Sequence, residues 1–184
     1  MEMLRRYRPD RRFSLAELGG GNSCFFDRIE KEFLPVRYTV YDNNALGIRK
    51  FREKAGARPD VRIREINLLT CDLQNEEKSD VVLSVGLIEH FMPENTARMV
   101  RSHFALAKEN GIVILMFPTP TFLYRTTRSL AEMLRLWIFH DERPLEASEV
   151  EKTIAECGVV LHKEIVWANF LTQQILVAQK RSRE

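Results

Sequence analysis

The sequence predicts an α/β fold, in which helices pack on a mostly parallel sheet. Segments with strand and helix character alternate along all 184 residues, and no long linker, internal repeat or low-complexity tract interrupts them. Residues 80–85 are mostly Val and Leu, which is typical of a central parallel strand buried on both faces. The last two β-rich segments are so close in the chain that we expect them to pair as an antiparallel hairpin.

The first half of the chain is predicted to contain three strands and two helices. Glycine, proline and Asn/Asp residues separate the apolar patterns of these elements. The predicted strands cover residues 13–18, 37–41 and 61–66, a first helix runs through Phe26, Ile29 and Phe33 to Pro35, and a second helix covers residues 46–57.

After the strand over residues 80–85, a helix is predicted to open at Pro93 and to stop at Asn110-Gly111, because proline suits a first helical turn and glycine a helix end. A fifth strand then covers residues 112–117. Residues 118–145 break the alternation, and we interpret them as an insertion with its own amphipathic helix. The apolar stripe predicted for that helix contains Leu123, Leu130, Leu134 and Trp137.

The end of the chain is predicted to form a short helix and the hairpin. Residues 148–151 have the Ser-x-x-Glu pattern of a capping box, which opens a helix that ends at Gly158. The hairpin strands cover residues 159–169 and 171–179.

Length, composition and charge favour one globular domain over residues 1–184. The formal net charge of +2 argues against general nucleic-acid binding, and we interpret the five arginines between residues 5 and 12 as a solvated arm. Cys24, Cys71 and Cys157 form no CxxC pair, so we expect small core residues rather than a disulfide framework. No apolar run approaches the roughly 20 residues of a membrane span, so we predict a cytoplasmic protein.

The segment with the clearest chemical meaning follows the first strand. Glycines 19, 20 and 21 lie between a strand and a helix, where backbone amides can approach a ligand at a helix N-terminus. Asp42 ends the second strand, about 20 residues further on, where an acidic residue accepts hydrogen bonds from ribose hydroxyls. Together the two features predict a ribose-bearing ligand. A dinucleotide-binding G-x-G-x-x-G motif fits less well, because Cys24 occupies its third glycine position.

These residues resemble the class I S-adenosylmethionine-dependent methyltransferases, and the resemblance covers nearly the whole chain. Residues 17–23 are similar to the family's E-x-G-x-G-x-G, with Ser23 in place of the last glycine. The resemblance implies a Rossmann-like three-layer sandwich, with a seven-stranded, mostly parallel sheet whose last strand is antiparallel. It also implies S-adenosylmethionine as the cofactor. The implied cofactor-binding residues are Glu17, Gly19, Gly20, Gly21, Asn22, Ser23, Asp42, Asn43, Asn67, Leu68, Ser84, Val85 and Gly86.

The resemblance also assigns roles to four of these positions. Glu17 orders the glycine loop or receives the cofactor's amino group, Asp42 binds the ribose hydroxyls, and Asn43 lies near the adenine. Asn67 stands where the family commonly has an Asp that accepts from the adenine amino group, and the Asn carbonyl oxygen can still accept there.

Residues 84–91 are similar to the segment that leads from the fourth strand into the substrate cavity of this family. His90 follows the carboxyl end of that strand, and histidine is the side chain most often used as a general base, so it is our candidate for a catalytic base. The alternative is that His90 supports the cofactor loop while Glu89 forms a structural ion pair. Ubiquinone-type O-methyltransferases have E-x-x-E-H in this segment and an associated metal. This chain has Gly86 in place of the first Glu, so we predict no metal.

The acceptor is expected to be a small or sugar-like molecule methylated on oxygen, nitrogen or carbon, with neither nucleic acid nor membrane as a partner. Tyr124, Arg125 and His140 are candidate acceptor contacts, although ordinary surface charges explain them equally well. We expect an open site that is closed by the insertion, by the second subunit of a homodimer or by a segment outside this chain. Two other hypotheses remain, a cofactor-binding protein that completes a partner without transferase activity and an NAD(P)-dependent oxidoreductase.

Overall fold

A computed structural model of the chain describes residues 1–138, 141–168 and 171–182. Strands and helices alternate through these residues as the sequence predicts. The strands are β1 (Ser14–Leu18), β2 (Arg37–Asp42), β3 (Val61–Glu65), β4 (Ser79–Val85), β5 (Ala107–Pro118), β6 (Gly158–Ala168) and β7 (Leu171–Lys180). The helices are α1 (Glu2–Tyr7), α2 (Phe26–Phe33), α3 (Ala45–Ala55), α4 (Pro93–Leu106), α5 (Phe122–Met133) and α6 (Ala147–Cys157).

The strands form one sheet in the order β3-β2-β1-β4-β5-β7-β6. Neighbouring strands from β3 to β5 are parallel, and β7 is antiparallel to both β5 and β6. This topology confirms the predicted Rossmann-like sheet and the closing hairpin. The chain leaves β1 toward β2 on one side and reaches β4 on the other, so the carboxyl ends of β1 and β4 flank the crevice where such sheets bind ligands.

Both faces of the sheet are buried, which makes the fold three layers. On one face, Leu15 and Val81 pack with residues of α1, α2 and α3. On the other face, Ala16 and Val82 pack with residues of α4 and α6. The alternation of neighbouring residues between two apolar cores explains why the central strands are apolar throughout rather than at every second position.

Residues 2–7 form α1, so the prediction of a solvated arginine arm is wrong for this segment. Met3 and Leu4 are buried against the sheet because the short helix is amphipathic. Arg5 and Arg6 are exposed, and Arg5 Nη2 donates to Glu32 Oε2 at 2.8 Å. Arg8, which directly follows the helix, is half-buried, and its guanidinium lies 5.7 Å from the centre of the Phe33 ring.

The boundary between α4 and β5 also differs from the prediction. The helix ends at Leu106 and the strand already begins at Ala107, which pairs with Ser79. Asn110 has a φ of 59°, and the register shifts between Ser79 and Val81. Asn110-Gly111 therefore belongs to an irregular part of the strand and does not stop the helix.

The predicted insertion contains α5, but its apolar stripe is not buried as a whole. Leu130 and Leu134 are exposed, whereas Tyr124 and Trp137 are buried and pack edge to face with their ring centres 6.2 Å apart. The stripe is wrong because α5 covers only the end of the sheet, so a single turn and the following loop face the protein.

The capping box of α6 does not form. The helix begins at Ala147, one residue before Ser148, and its N-cap residue Glu146 makes no side-chain hydrogen bond to the first turn. The preceding segment fixes this start, since the Leu145 amide donates to Pro118 O at 2.9 Å and Thr119 Oγ1 donates to Leu145 O at 3.0 Å.

The cysteines are all free thiols. Cys71 and Cys157 are half-buried and pack against the core on the face of α4 and α6, whereas Cys24 is exposed, so the prediction of a core residue is wrong for Cys24. Cys24 lies in the turn before α2, which points its side chain away from the sheet. Among the described residues, no helix is long and apolar enough to cross a membrane.

Candidate functional site

The glycine loop after β1 lies against the end of β2. The Gly19 amide donates to Tyr41 O at 2.8 Å, and the Gly21 amide donates to Asp42 Oδ2 at 2.7 Å. A Cβ at Gly21 would stand 2.7 Å from that same oxygen, so only glycine leaves room for this contact. Gly19 has a φ of 73°, which is in the left-handed region. Close approach of the two segments therefore requires these glycines.

The Glu17 side chain packs against the backbone of the glycine loop. Its carboxyl group is buried and accepts a hydrogen bond from the Tyr38 hydroxyl. A Cβ at Gly20 would stand 2.9 Å from Glu17 Cδ, so the loop backbone rests directly on this side chain. Burial raises the pKa of Glu17 to about 7, against the lowering effect of hydrogen bonds from Tyr38 and Ser23. Of the two roles implied for Glu17, this geometry favours ordering of the loop.

The Ser23 side chain forms hydrogen bonds within the protein and does not line the cleft beside the glycine loop. Its Oγ accepts hydrogen bonds from the amides of Phe25 at 3.2 Å and Phe26 at 3.1 Å, at the start of α2. The contact of Ser23 with the cofactor stays a prediction, and the structure adds that its side chain caps the start of α2. Asn22, at the tip of the loop, is exposed.

A cleft of about 160 Å³ lies beside the glycine loop, and we call it the inner cleft. It contains five of the residues that the sequence predicts. The inner cleft is lined by Gly19, Asp42, Asn43, Ile66, Asn67, Leu68, Leu69, Leu87, Phe91 and Met99. Its walls are therefore mostly apolar, with three polar side chains at one end.

The inner cleft fits the adenosine part of the predicted cofactor. Asp42 Oδ1 accepts from the Asn44 amide at 2.8 Å and Oδ2 from Gly21, which leaves a second lone pair on each oxygen for ribose hydroxyls. Asn67 Oδ1 accepts from the Leu69 amide at 3.0 Å and keeps one lone pair for an adenine amino group. The helix cap of α3 is Asn44, which accepts from the Gly47 amide at 3.1 Å, so Asp42 is free of that structural role.

The Ser84 side chain does not line the inner cleft. Its hydroxyl is buried and lies 2.8 Å from His103 Nε2, while His103 Nδ1 lies 2.7 Å from Met99 O. The pleat of β4 points this side chain toward α4, so a contact of Ser84 with the cofactor, as predicted, would have to come from its backbone. Burial lowers the pKa of His103 to about 4, so this imidazole is neutral and structural.

A second space of about 340 Å³ opens beyond the end of β4, and we call it the outer cavity. It combines residues from β4, β5, α5, β7 and the loop before α6. The outer cavity is lined by Val85, Gly86, Glu89, His90, Met116, Tyr124, Trp137, Glu142, Leu171 and Gln173. Because Leu87 and Phe91 line the inner cleft, the single segment from residue 86 to 91 borders both spaces.

Two carboxyl contacts position side chains in the outer cavity. His90 Nδ1 lies 3.0 Å from Asp141 Oδ2, and the Tyr124 hydroxyl donates to Glu142 Oε1. The carboxylate beside His90 orients the ring, as expected for a group that accepts a proton. Burial, followed by the interaction with Glu142, raises the pKa of Tyr124 to a value above its ordinary range.

The sequence reasoning missed several residues of the outer cavity. Glu89 is 2% exposed, and its Oε2 has no hydrogen-bond partner among the described residues. Within residues 1–138, 141–168 and 171–182, no ion pair supports the alternative of a structural ion pair at Glu89. Trp137 and Gln173 come from segments far from β4 in the chain, and no local sequence pattern identifies them. The Glu89-His90 pair directly after β4 is the one signal that could have identified Glu89.

Of the predicted acceptor contacts, Tyr124 lines this cavity and Arg125 does not. Arg125 is largely exposed and does not line it, and its Nη2 lies 3.9 Å from Glu146 Oε1. An outward position on α5 explains this difference. His140 lies outside the described residues.

Comparison with known proteins identifies the family. The family model described as "Methyltransferase domain" matches residues 16–113, which is more than half of the chain and includes the glycine loop, Asp42 and the 86–91 segment. No curated protein matches the sequence.

Solved structures share the fold at low sequence identity. A methyltransferase from Methanosarcina mazei has a TM-score of 0.78 and 10% identity, with 100% of this chain and 99% of that chain covered. An O-methyltransferase family protein from Burkholderia thailandensis has a TM-score of 0.70 and 16% identity, with 95% and 52% covered. The magnesium protoporphyrin IX methyltransferase of Synechocystis, solved with bound S-adenosylhomocysteine, has a TM-score of 0.69 and 14% identity, with 92% and 74% covered.

The chain thus spans about half the length of the Burkholderia protein and nearly all of the Methanosarcina protein. The family match and the shared topology agree with the resemblance seen in the glycine loop. The chain belongs to the methyltransferase-domain family, within the class I S-adenosylmethionine-dependent methyltransferases, whose cofactor is S-adenosylmethionine.

Proposed function

We propose that this protein transfers a methyl group from S-adenosylmethionine to a small-molecule acceptor. The observation that carries the proposal is the juxtaposition of two spaces along residues 86–91. The inner cleft has the acidic and apolar lining that suits an adenosine, and the outer cavity is large enough for a small acceptor. The magnesium protoporphyrin IX methyltransferase, a structural neighbour, is an example of this fold acting on a small molecule.

The cofactor supplies a methyl group activated by the positive sulfur, so the protein has mainly to bind and orient the reactants. Asp42 and the glycine loop would bind the ribose and the adjoining part of the cofactor, and Asn67 the adenine. The outer cavity would exclude water around the acceptor. Two groups that can take up a proton line it, Glu89 and the His90 ring held by Asp141.

The replacement Asp42→Ala tests the cofactor site. It removes the two carboxylate oxygens that face the ribose position, so we expect S-adenosylhomocysteine affinity to fall about a hundredfold. Isothermal titration calorimetry of the wild type and the variant measures this change. Asp10→Ala is the matched control, because Asp10 is exposed and precedes β1, at the opposite end of the sheet.

The same titration with NAD⁺ separates the oxidoreductase hypothesis from the methyltransferase. We expect S-adenosylhomocysteine to bind the wild type and the Asp10→Ala variant equally, and NAD⁺ to bind neither. Tight NAD⁺ binding without binding of S-adenosylhomocysteine would reject the proposal. Equal affinity of the wild type and Asp42→Ala for S-adenosylhomocysteine would reject this site.

A further inference from the structure

Glu89 has an environment that the proposed function leaves unexplained. It is the second residue of the short 3-10 helix Ile88–His90, and its carboxyl group is almost completely buried while lining the outer cavity. Its Oε2 has no hydrogen-bond partner in the part of the chain that the structure describes. A buried carboxylate oxygen without a donor costs free energy, so a donor supplied by a ligand would offset that cost.

The charged residues that line the outer cavity indicate which kind of hydrogen-bond donor a ligand would carry. Glu89 and Glu142 both line it, and none of its described lining residues is Lys or Arg. Two arginines close to the cavity are paired with other carboxylates. Arg143 contacts both carboxylate oxygens of Glu149 at 2.7 and 2.8 Å. Arg128 donates to Glu132 Oε1 at 2.7 Å and to Glu142 O at 2.9 Å, and its guanidinium lies 5.1 Å from the centre of the Trp137 ring. An acceptor that carries a carboxylate or phosphate would therefore be repelled, whereas a cation would be attracted.

The rest of the lining suits the apolar body of such a cation. Val85, Met116 and Leu171 provide aliphatic surface, and the edge-to-face pair of Tyr124 and Trp137 provides aromatic surface. Val85 and Met116 also line an apolar groove of about 390 Å³ beneath α1, which is a neighbour of the outer cavity.

We propose that the methyl acceptor is a small amine on an apolar body, bound in the outer cavity with its nitrogen at Glu89 Oε2, and that Glu89 accepts the proton the nitrogen must lose. This rests on the proposed methyltransferase function and names the acceptor class. We assign the proton to Glu89 because its buried Oε2 has no hydrogen-bond partner among the described residues, whereas the His90 side chain is 30% exposed.

The proton transfer is needed because an ammonium nitrogen has no lone pair. One N–H proton passes to Glu89 Oε2, and the freed lone pair then forms the bond to the methyl carbon. The carbon–sulfur bond of the sulfonium donor breaks with its electron pair on sulfur, so the products are the methylated ammonium, S-adenosylhomocysteine and a protonated Glu89. Burial, together with the negative charges of Glu142 and Asp141, raises the pKa of Glu89 to about 7, which suits reversible proton uptake near neutral pH.

The test compares amines with alcohols of the same carbon skeleton. Benzylamine and benzyl alcohol, phenethylamine and 2-phenylethanol, and hexylamine and 1-hexanol are titrated into the protein saturated with S-adenosylhomocysteine at about pH 8, where amines are charged and Glu89 is ionised. We expect at least one amine to bind about tenfold or more tightly than its alcohol. The ammonium donor carries a charge opposite to that of the Glu89 carboxylate, whereas the hydroxyl donor is neutral and forms the weaker hydrogen bond.

The replacement Glu89→Gln keeps the size of the side chain and removes its charge. We expect it to reduce amine affinity about tenfold and to leave S-adenosylhomocysteine affinity unchanged, which also shows that the variant is folded. Glu53→Gln, an exposed position on α3, is the matched control and should bind amines as the wild type does.

Two results would overturn the amine proposal, namely alcohols that bind as tightly as their amines, or amine affinity unchanged by Glu89→Gln. Failure of every amine to bind to protein that does bind S-adenosylhomocysteine would also overturn it, while the methyltransferase proposal would stand. Failure to bind S-adenosylhomocysteine would instead reject the proposed function itself.

Discussion

Gly21 is the residue at which the glycine loop and the end of β2 come into contact. Its amide donates to Asp42 Oδ2, and an added Cβ would stand 2.7 Å from that oxygen and 3.2 Å from the Gly47 carbonyl carbon. Gly21→Ala should therefore push Asp42 out of position. We expect S-adenosylhomocysteine affinity, measured by calorimetry, to fall about tenfold or more, since a misplaced carboxylate loses its hydrogen bonds to the ribose.

Gly56→Ala is a control that separates backbone strain from crowding. Gly56 has a φ of 61°, but a Cβ there would meet no atom within 4 Å. We expect this variant to unfold at a lower temperature because of the left-handed backbone, with unchanged ligand affinity. If Gly21→Ala also kept its affinity, the close contact with Asp42 would not be needed for the site.

At the scale of elements, Asp80 connects three strands at the end of the sheet opposite the site. Its carboxylate accepts hydrogen bonds from the Ser14 amide at 2.9 Å, the Ser14 hydroxyl at 2.7 Å and Lys108 Nζ at 2.8 Å. The group therefore links β1, β4 and β5. Burial alone would raise the pKa of Asp80, but these donors outweigh it and lower the pKa to about 2.

Asp80→Asn removes this charge and leaves Lys108 with a weaker partner. We expect the free energy of unfolding, measured by urea denaturation, to fall by about 3 kcal/mol. The folded-state pKa is below the ordinary value of 3.8, so the stabilisation is fully present above that pH, and the loss should be constant between about pH 5 and 8. Asp10→Asn, at an exposed position, should cause no loss.

Local sequence patterns predicted the elements well where burial or local backbone preference determines them. The Val and Leu run of β4 follows from burial on both faces, and the start of α4 follows from the fit of Pro93 to a first helical turn. The end of α4 and the start of α6 were not predicted, because long-range contacts decide them. Ala107 pairs with Ser79, and Leu145 is fixed by hydrogen bonds to Pro118 and Thr119.

At the scale of the whole molecule, the two halves of the site differ in how far the sequence could predict them. The inner cleft is built from residues that directly follow β1, β2 and β3, so Gly19, Asp42 and Asn67 could be identified from strand ends. The outer cavity brings Glu89 together with Trp137 and Gln173, which are distant in sequence. These residues come together because the loop after α5 packs at the end of the sheet and because β7 pairs with β5.

Three buried titratable groups also determine how the stability of the whole protein depends on pH. The pKa values of Glu17 and Glu89 are raised from 4.5 to about 7, chiefly by burial. Between pH 4.5 and about 7 the folded state therefore binds two more protons than the unfolded state. Their ionisation destabilises the fold as the pH rises through that window. Burial lowers the pKa of His103 from 6.5 to about 4, so its contribution to stability is present above pH 6.5 and is lost as the pH falls toward 4.

Two carboxyl groups thus oppose one imidazole between pH 5 and 6.5. We expect the free energy of unfolding of the wild type, measured by urea denaturation, to fall on the order of 1 kcal/mol for each unit by which the pH rises. Glu17→Gln leaves one carboxyl against one imidazole, so the free energy of unfolding of this variant should be nearly independent of pH in that interval. Glu53→Gln changes an exposed carboxyl by the same chemistry and should reproduce the wild-type slope. A wild-type stability that increases from pH 5 to 6.5 would contradict this prediction, because it would mean that Glu17 and Glu89 are ionised in the folded protein throughout.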